Sequence, residues 1–281
     1  MSAHAKEFSV KGMCRVLNVA RSGYYAWCQR PTSQREQANQ RLLEQIRAAY
    51  KTSRQTYGSP RIHAYLRRIG VFCGRNRVAR LMHADQLVGR KAHRRCPITT
   101  QQRIGARTAP NLLAQDFSAQ APNQKWVTDI TFIDTSEGWL YLASVLDLYS
   151  RRIVGWAMAD RMDAQLVDQA LKMAWLTRRP ASGLLHHSDR GCQYTSDTYQ
   201  NYLSSLGCTI SMSRTGNCYD NAAMESFFAT LKVECAQSRF TSHAQARTAI
   251  FEFIEHWYNR CRLHSSLDYK SPVEYEVTSG H

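Results

Sequence analysis

Trp126-Val127-Thr128-Asp129-Ile130-Thr131-Phe132-Ile133 alternates in character, is rich in β-branched and aromatic residues, and reads as a strand interrupted by one acid, Asp129. A second acid closes a short apolar run, Leu184-Leu185-His186-His187-Ser188-Asp189, where Arg190-Gly191 signals a strand end breaking into a turn. A third, Glu225, lies in Asn221-Ala222-Ala223-Met224-Glu225-Ser226-Phe227-Phe228, whose spacing is helical. The 35 residues from 190 to 224 separate the second acid from the third. Two strand-borne aspartates and one helix-borne glutamate suit a pair of divalent cations, because hard Mg²⁺ (or Mn²⁺) prefers carboxylate oxygen and shares it with substrate phosphates. Asp129, Asp189 and Glu225 are therefore the candidate catalytic and metal-binding residues.

Outward from Asp129, Ser136-Glu137-Gly138 is turn-like, residues 139–148 read as a second strand and residues 153–158 as a third. Short connections make these an antiparallel meander. A helix through Ala164, Val167, Ala170, Leu171 and Ala174 then crosses to the strand ending at Asp189, and another over residues 196–206 leads to a strand at 208–211. On the Glu225 helix, Asn221, Glu225, Phe228 and Lys232 share one side while Met224, Phe227 and Leu231 form an apolar stripe. The stripe fixes the helix and the other side faces the site.

Charge is the outlying feature of the composition. The 281 residues hold 37 Lys and Arg against 22 Asp and Glu, a net charge of +15, and the pI is about 9.6. That balance favours a polyanionic partner, with DNA first. An ordinary hydrophobic fraction of 43% argues against wholesale disorder. No apolar run approaches the roughly 18 residues of a spanning helix and no signal peptide opens the chain, so the expectation is a cytoplasmic protein facing nucleic acid rather than a membrane. Nine cysteines stand without a C-x-x-C pair, which points to reduced, packed thiols and away from zinc.

The first 110 residues are rich in Arg and Lys and read as short helices. Residues 8–17 and 18–27 suggest two helices around a turn, the second starting at Ser22 as its cap. Arg21, Tyr24 and Tyr25 would then lie near DNA, although Tyr24, Tyr25 and Trp27 could equally be core. A further helix carries Leu42, Leu43, Ile46 and Ala49; Ser59-Pro60 starts another with Arg61 in its first turn, and residues 75–82 make a basic helix bearing Arg75 and Arg77. Residues 89–122 hold Arg90, Lys91, Arg94, Arg95, Arg103 and Arg107 with little apolar periodicity, the pattern of a basic linker.

Taken in order, Trp126-Val127-Thr128-Asp129, then His187-Ser188-Asp189-Arg190-Gly191-Cys192-Gln193-Tyr194, then Asp220-Asn221-Ala222-Ala223-Met224-Glu225-Ser226-Phe227-Phe228, the chain resembles the DDE transposases of bacterial insertion sequences, the retroviral-integrase-like group. Within that group it looks most like the OrfB-type subunit, over about residues 9–276. The resemblance implies an α/β ribonuclease H-like integrase catalytic core preceded by an all-α helix-turn-helix region. On this reading residues 1–34 are a helix-turn-helix-like segment, 35–92 a second helical DNA-binding domain, 93–122 a basic linker and 123–281 the catalytic core with its C-terminal helix. It implies metal-dependent DNA cleavage and strand transfer with two ions, Mg²⁺ or Mn²⁺. The partners implied are DNA (terminal repeats and target), an upstream OrfA frame joined as a frameshift fusion, and further copies of the chain, in the bacterial cytoplasm at the nucleoid.

Alongside Arg21, Tyr24, Arg61, Arg75 and Arg77, the DNA-contact expectations fall on Arg190, Arg214, Asn221, Lys232, Arg262 and His264. Asp147 and Asp134 are rival carboxylates on the same strand set. A regulator with an inert integrase fold, or a structure-selective nuclease that cuts without joining, are the competing readings. A serine nucleophile is disfavoured because neither Ser188 nor Ser226 has an activating base in the sequence around it.

Overall fold

The computed structural model describes residues 1–90, 108–214 and 218–279. Thr215, Gly216 and Asn217, with Lys91, Arg94, Arg95, Arg103 and Arg107 of the expected linker, lie outside the described residues. The chain divides into two units, Met1–Ala48 and Ala49–His281.

In the first unit, α1 (Val10–Val16) begins where the Ser9 hydroxyl accepts the Gly12 N–H at 3.2 Å. Its buried residue is Cys14. After Asn18, in the left-handed region at φ 51°, α2 (Arg21–Gln29) follows. The cap expected at Ser22 is corrected to Ala20, which makes no side-chain cap bond; Ser22 lies inside the helix and is exposed. Tyr25 and Trp27 are exposed too, so the core reading of those aromatics does not hold, while Tyr24 stacks on Trp27 with ring centroids 6.4 Å apart. Ser33 caps α3 (Gln34–Thr52) by accepting the Glu36 N–H.

In the second unit, α4 (Ser59–Arg68) and α5 (Arg75–Ala84) bury Ile62 and Leu66, and Val78 and Met82. The cap of α4 is Gly58 rather than Ser59, with Pro60 in the first turn where a missing N–H costs nothing.

The five-stranded sheet has the order β3-β2-β1-β4-β5. β1 (Lys125–Thr135), β2 (Gly138–Asp147) and β3 (Ile153–Ala159) form the expected antiparallel meander. β4 (Leu185–Ser188) then runs parallel to β1, and β5 (Thr209–Met212) parallel to β4. The crossovers are α6 (Ala164–Arg178), capped by Asp163, and α7 (Asp197–Ser205), capped by Ser196.

Alternation puts Trp126 on one face of β1, where it joins Ala143, Val145, Leu166, Ala170, Ala174 and Leu203 in a buried core beneath α6 and α7. Gly155 is required there, because a Cβ on it would stand 2.3 Å from the Ala170 carbonyl oxygen. Asp129 points to the opposite face, with the buried Val127 and Ile133. α8 (Ala222–Glu234) contacts β1 and buries Met224, Phe227, Phe228 and Leu231; Phe228, expected on the polar side, is therefore part of the apolar stripe.

The chain after α9 (His243–Glu252) passes through a π-helical turn, Phe253–Tyr258, and ends in α10 (Pro272–Ser279). Asn259 ties it to the sheet: its Oδ1 accepts the Ile153 N–H and its Nδ2 donates to the Ile153 carbonyl, each at 3.0 Å. The open edge at β5 is covered by residues 110–113. Leu112 and Leu113 donate their N–H groups to the Ser211 hydroxyl, and the Met212 N–H donates to the Pro110 carbonyl. This part of the expected linker is thus docked on the core.

Candidate active site

β1 is central in the sheet and β4 is its parallel neighbour, paired Lys125 with Leu185, Trp126 with His186 and Val127 with His187. Carried two residues further, that register sets Asp189, just past the end of β4, level with Asp129. Asp189 is held in its turn by accepting the Gly191 N–H at 2.9 Å. Glu225 comes from the first turn of α8, whose start is anchored beside Asp129: Asn221 Nδ2 donates to the Thr128 carbonyl at 3.1 Å.

Electrostatics report the same convergence. Burial pushes the Asp129 carboxyl well above its ordinary range, and the facing charge of Asp189 pushes it further. The Ile130 N–H, donated to Asp129 Oδ1 at 2.8 Å, opposes this; Glu225 raises the carboxyl again and Lys232 lowers it. The Tyr194 phenol, on the Thr128 hydroxyl at 3.3 Å, is raised by burial and then by the nearby Asp129. Among the described residues no group of three His, Cys, Asp or Glu side chains already stands as a metal-holding set. The candidate donors are hard carboxylate oxygens, those of Asp189 and Glu225 raising the Asp129 carboxyl by their like charge, and Asn221 Oδ1 is buried without a hydrogen-bond partner.

The remaining expected site residues divide into three groups. Arg190, Arg214 and Lys232 make up the first: Arg190 follows Asp189 in the chain, Arg214 follows the Ser213 that Arg190 reaches, and Lys232 lowers the Asp129 carboxyl. Arg190 Nε donates to the Ser213 carbonyl, Lys232 is exposed, and Arg214 grips the buried Asp220 with its backbone N–H and guanidinium. Burial would raise the Asp220 carboxyl, but the bonds from Arg214, joined by Gln115, bring it down to about 2; Asn111 Nδ2 donates to it as well, at 2.8 Å. Asp220 is thus a hub that ties residues 111–115 to the start of the Glu225 helix.

Arg61, Arg262 and His264 form a second group away from the acids. Arg262 is buried in an ion pair with Glu234 at 2.9 Å, and Arg61 donates through Nε to the Leu263 carbonyl. The third is set by chain position alone: Arg21, exposed, and Tyr24, half-buried, lie on α2 of the first unit, and Arg75, exposed, and Arg77 lie on α5 of the second.

Of the rival carboxylates, Asp147 pairs with Trp126 in register and so faces away from Asp129, accepting the Asn123 and Tyr149 N–H groups with Arg178 3.5 Å away. Asp134 pairs with Arg239 at the surface. His187 is buried between the Ser211 and Ser213 hydroxyls. Sequence reasoning passed over Tyr194, although it stands in the segment beginning at His187. It also passed over Arg151 and Glu234, which carry no local signal.

A parallel β1–β4 pair bearing two aspartates, approached by a glutamate helix, defines the integrase-core class, and two models of the Integrase core domain match residues 119–218 and 206–272. An HTH-like domain matches residues 37–95. The chain is 46% identical over 264 residues to the "Insertion element IS600 uncharacterized 31 kDa protein" of Shigella sonnei, covering 94% of this chain and 97% of that one. It is 46% identical over 277 residues to "Transposase InsF for insertion sequence IS3A" of Escherichia coli (strain K12), covering 97% and 96%. The chain belongs to the IS3-type insertion-sequence transposase family and is an enzyme of the DDE transposase/integrase class. Among solved structures, a simian T-cell lymphotropic virus intasome chain aligns at TM-score 0.48 and 15% identity, over 76% of this chain and 70% of that one. The HTLV-2 integrase catalytic core domain aligns at TM-score 0.43 and 13% identity, over 57% and 99%. Among the described residues, no helix is long and apolar enough to cross a membrane.

Proposed function

We propose that Asp129, Asp189 and Glu225 are the catalytic carboxylates of this transposase and that they act on DNA, cutting at the ends of an insertion sequence and joining those ends to a target. The observation that carries the assignment is the register that brings Asp189, just past β4, level with the half-buried Asp129 on β1, with the Glu225 helix anchored beside it by Asn221. Such a cluster is relieved by a cation, and its all-oxygen donor set fits Mg²⁺ or Mn²⁺, with two ions the expected number. When bound, the ions would supply charge neutralisation at the phosphate and activation of a water or DNA hydroxyl.

The protein's own groups do the positioning. Asp129 and Asp189 are held by β1 and the turn after β4, and Asn221 sets the depth of the glutamate helix through Thr128. Lys232, Arg190 and Arg214 supply positive charge around the acids for the DNA backbone. Arg21, Tyr24, Arg75 and Arg77 belong to the helical region, whose proposed extents are 1–34 and 35–92, ahead of the linker 93–122 and the core 123–281. The working form is an oligomer on paired terminal repeats, fused to the product of an upstream frame, in the bacterial cytoplasm at the nucleoid.

Strand transfer on a labelled duplex carrying the element's own end, with Mg²⁺ or Mn²⁺, tests this in the chain alone and in the upstream fusion. Metal-dependent joined product, absent with Glu225→Gln, is the expected result. End binding without cutting or joining, in both forms, would leave an inert DNA-binding regulator; cutting without joining or end preference would leave a nuclease.

A further inference from the structure

Across α8 from the acids lies a cavity of about 170 Å³ in which Arg61, Arg151, Arg262 and His264 converge, with the exposed Ser226 and Ser265 among the residues lining it. These groups come from α4, from the turn between β2 and β3, and from the segment after the π-helical turn, so no local pattern joins them. Ser226 is about 100° around the helix from Glu225, and Thr230, which also lines the cavity, is further round. The cavity is therefore distinct from the carboxylate site. It is far larger than the roughly 10–15 Å³ that one water needs.

Its charge is only partly balanced by the protein, since Glu234 also acts on Arg61 and Asp147 acts on Arg151 without pairing with either. Arg262 is paired with Glu234 at 2.9 Å. Arg61 and Arg151 instead bond backbone carbonyls, of Leu263 at 3.0 Å and Phe117 at 3.3 Å, and neither makes an ion pair among the described residues. Burial lowers the pKa of both, and Arg262 lowers that of Arg61 as well. All three arginines bear on His264, whose imidazole is held neutral first by burial and then by their charges. Its Nε2 is buried with no hydrogen-bond partner. Cations of one sign drawn partly out of water, as the half-buried Arg61 and Arg151 are, are costly unless something neutralises them. Guanidinium forks in this number match phosphate geometry, and hydroxyls at the rim extend the donor set.

We propose that this cavity is a phosphate-binding pocket, separate from the carboxylate site, which takes one phosphate group: a backbone phosphate of bound DNA or a free phosphate. The DNA source rests on the reading of the chain as a DNA strand-transfer enzyme; the phosphate chemistry does not. Arg61, Arg262 and His264, expected as separate DNA contacts, become parts of one receptor completed by Arg151. Arg151 sits at φ 60°, a conformation that asparagine also tolerates, so Arg151→Asn removes the charge with little backbone cost.

The probe is inorganic phosphate against chloride at equal ionic strength, read as the thermal midpoint of the full chain without divalent metal. Phosphate should raise the wild-type midpoint by several degrees more than chloride and should lose that increment in Arg61→Gln/Arg151→Asn. Ser265→Glu, which sets a carboxylate at the rim, should raise the midpoint without phosphate and abolish the response, so the proposal stays testable if the arginine variant does not fold. Binding of element-end DNA without metal identifies the source. Weakening by about tenfold, with a salt slope reduced by about one or two in the double variant, assigns a backbone phosphate. Unchanged DNA binding together with a lost phosphate increment assigns free phosphate. A wild-type midpoint that responds no more to phosphate than to chloride, or an increment that survives in the variants, overturns the proposal. Glu225→Gln keeps the increment, so failure of the carboxylate assignment and failure of the pocket are separate results.

Discussion

At Asp129, burial and the charge of Asp189 both favour the protonated acid, so a cation bound there gains what the bare protein loses by ionising it. Asp129→Asn, Asp189→Asn and Glu225→Gln should each lower strand transfer by on the order of a thousandfold or more, equivalent to about 4 kcal/mol of transition-state stabilisation, while leaving metal-free DNA binding within a few fold. Parallel gel assays of joining and binding check both halves. His187 makes a prediction of the opposite kind. Burial takes its imidazole from the usual 6.5 down to about 4, so the folded protein holds it neutral where the unfolded chain would protonate it. Its stabilising contribution is complete above pH 6.5 and is lost as pH falls toward 4, a change of about 3 kcal/mol. Urea unfolding across that window should show the loss, and His187→Gln should flatten it. Both histidines were legible as a strand end, but their fate was not. His186 meets the Tyr199 hydroxyl of α7, and His187 meets Ser211 of β5 and Ser213 just beyond it.

Between elements, the tightest packing is that of β3 against α6. Gly155→Ala would place a methyl 2.3 Å from the Ala170 carbonyl and 2.6 Å from the Ala174 nitrogen, both backbone atoms that cannot turn aside. A loss of about 2 kcal/mol or more is expected from overpacking, read as a lower urea midpoint with an unchanged slope. In the sequence Gly155 is just a glycine inside an apolar run, and nothing there names the helix it admits. The meander, the two crossovers and the glutamate helix were all readable from periodicity and turn residues. Helix starts were less so: Ser22 and Ser59 were expected as caps, and Ala20 and Gly58 occupy those positions, because a cap is chosen by the path of the chain entering the helix as well as by its side chain.

For the whole molecule the decisive quantity is charge. An excess of 37 basic over 22 acidic residues gives +15, and binding to element-end DNA should release condensed counterions accordingly. If about 6 to 10 phosphates are neutralised, affinity should fall on the order of a thousandfold or more between about 50 and about 200 mM salt. Fluorescence anisotropy over a salt series measures the slope, and a flat response would assign the basic excess to something other than DNA. Internal ion pairs leave the net charge at +15 but commit particular arginines within the fold, since Arg178 and Arg152 are taken up by Glu276 and Arg262 by Glu234. Such commitments are invisible in a net count.

The sequence by itself determined the order and type of the sheet elements and the three acids worth watching. Strand alternation, helical spacing and turn residues are set by neighbours a few positions apart, and the three motifs are contiguous. Only the tertiary structure decided what those acids face and which arginines come together. The β1–β4 register levels Asp129 with Asp189, and the cavity gathers Arg61, Arg151 and Arg262 from three distant stretches of chain. Contacts of that kind are made by register and packing between remote segments, whose geometry no local pattern encodes.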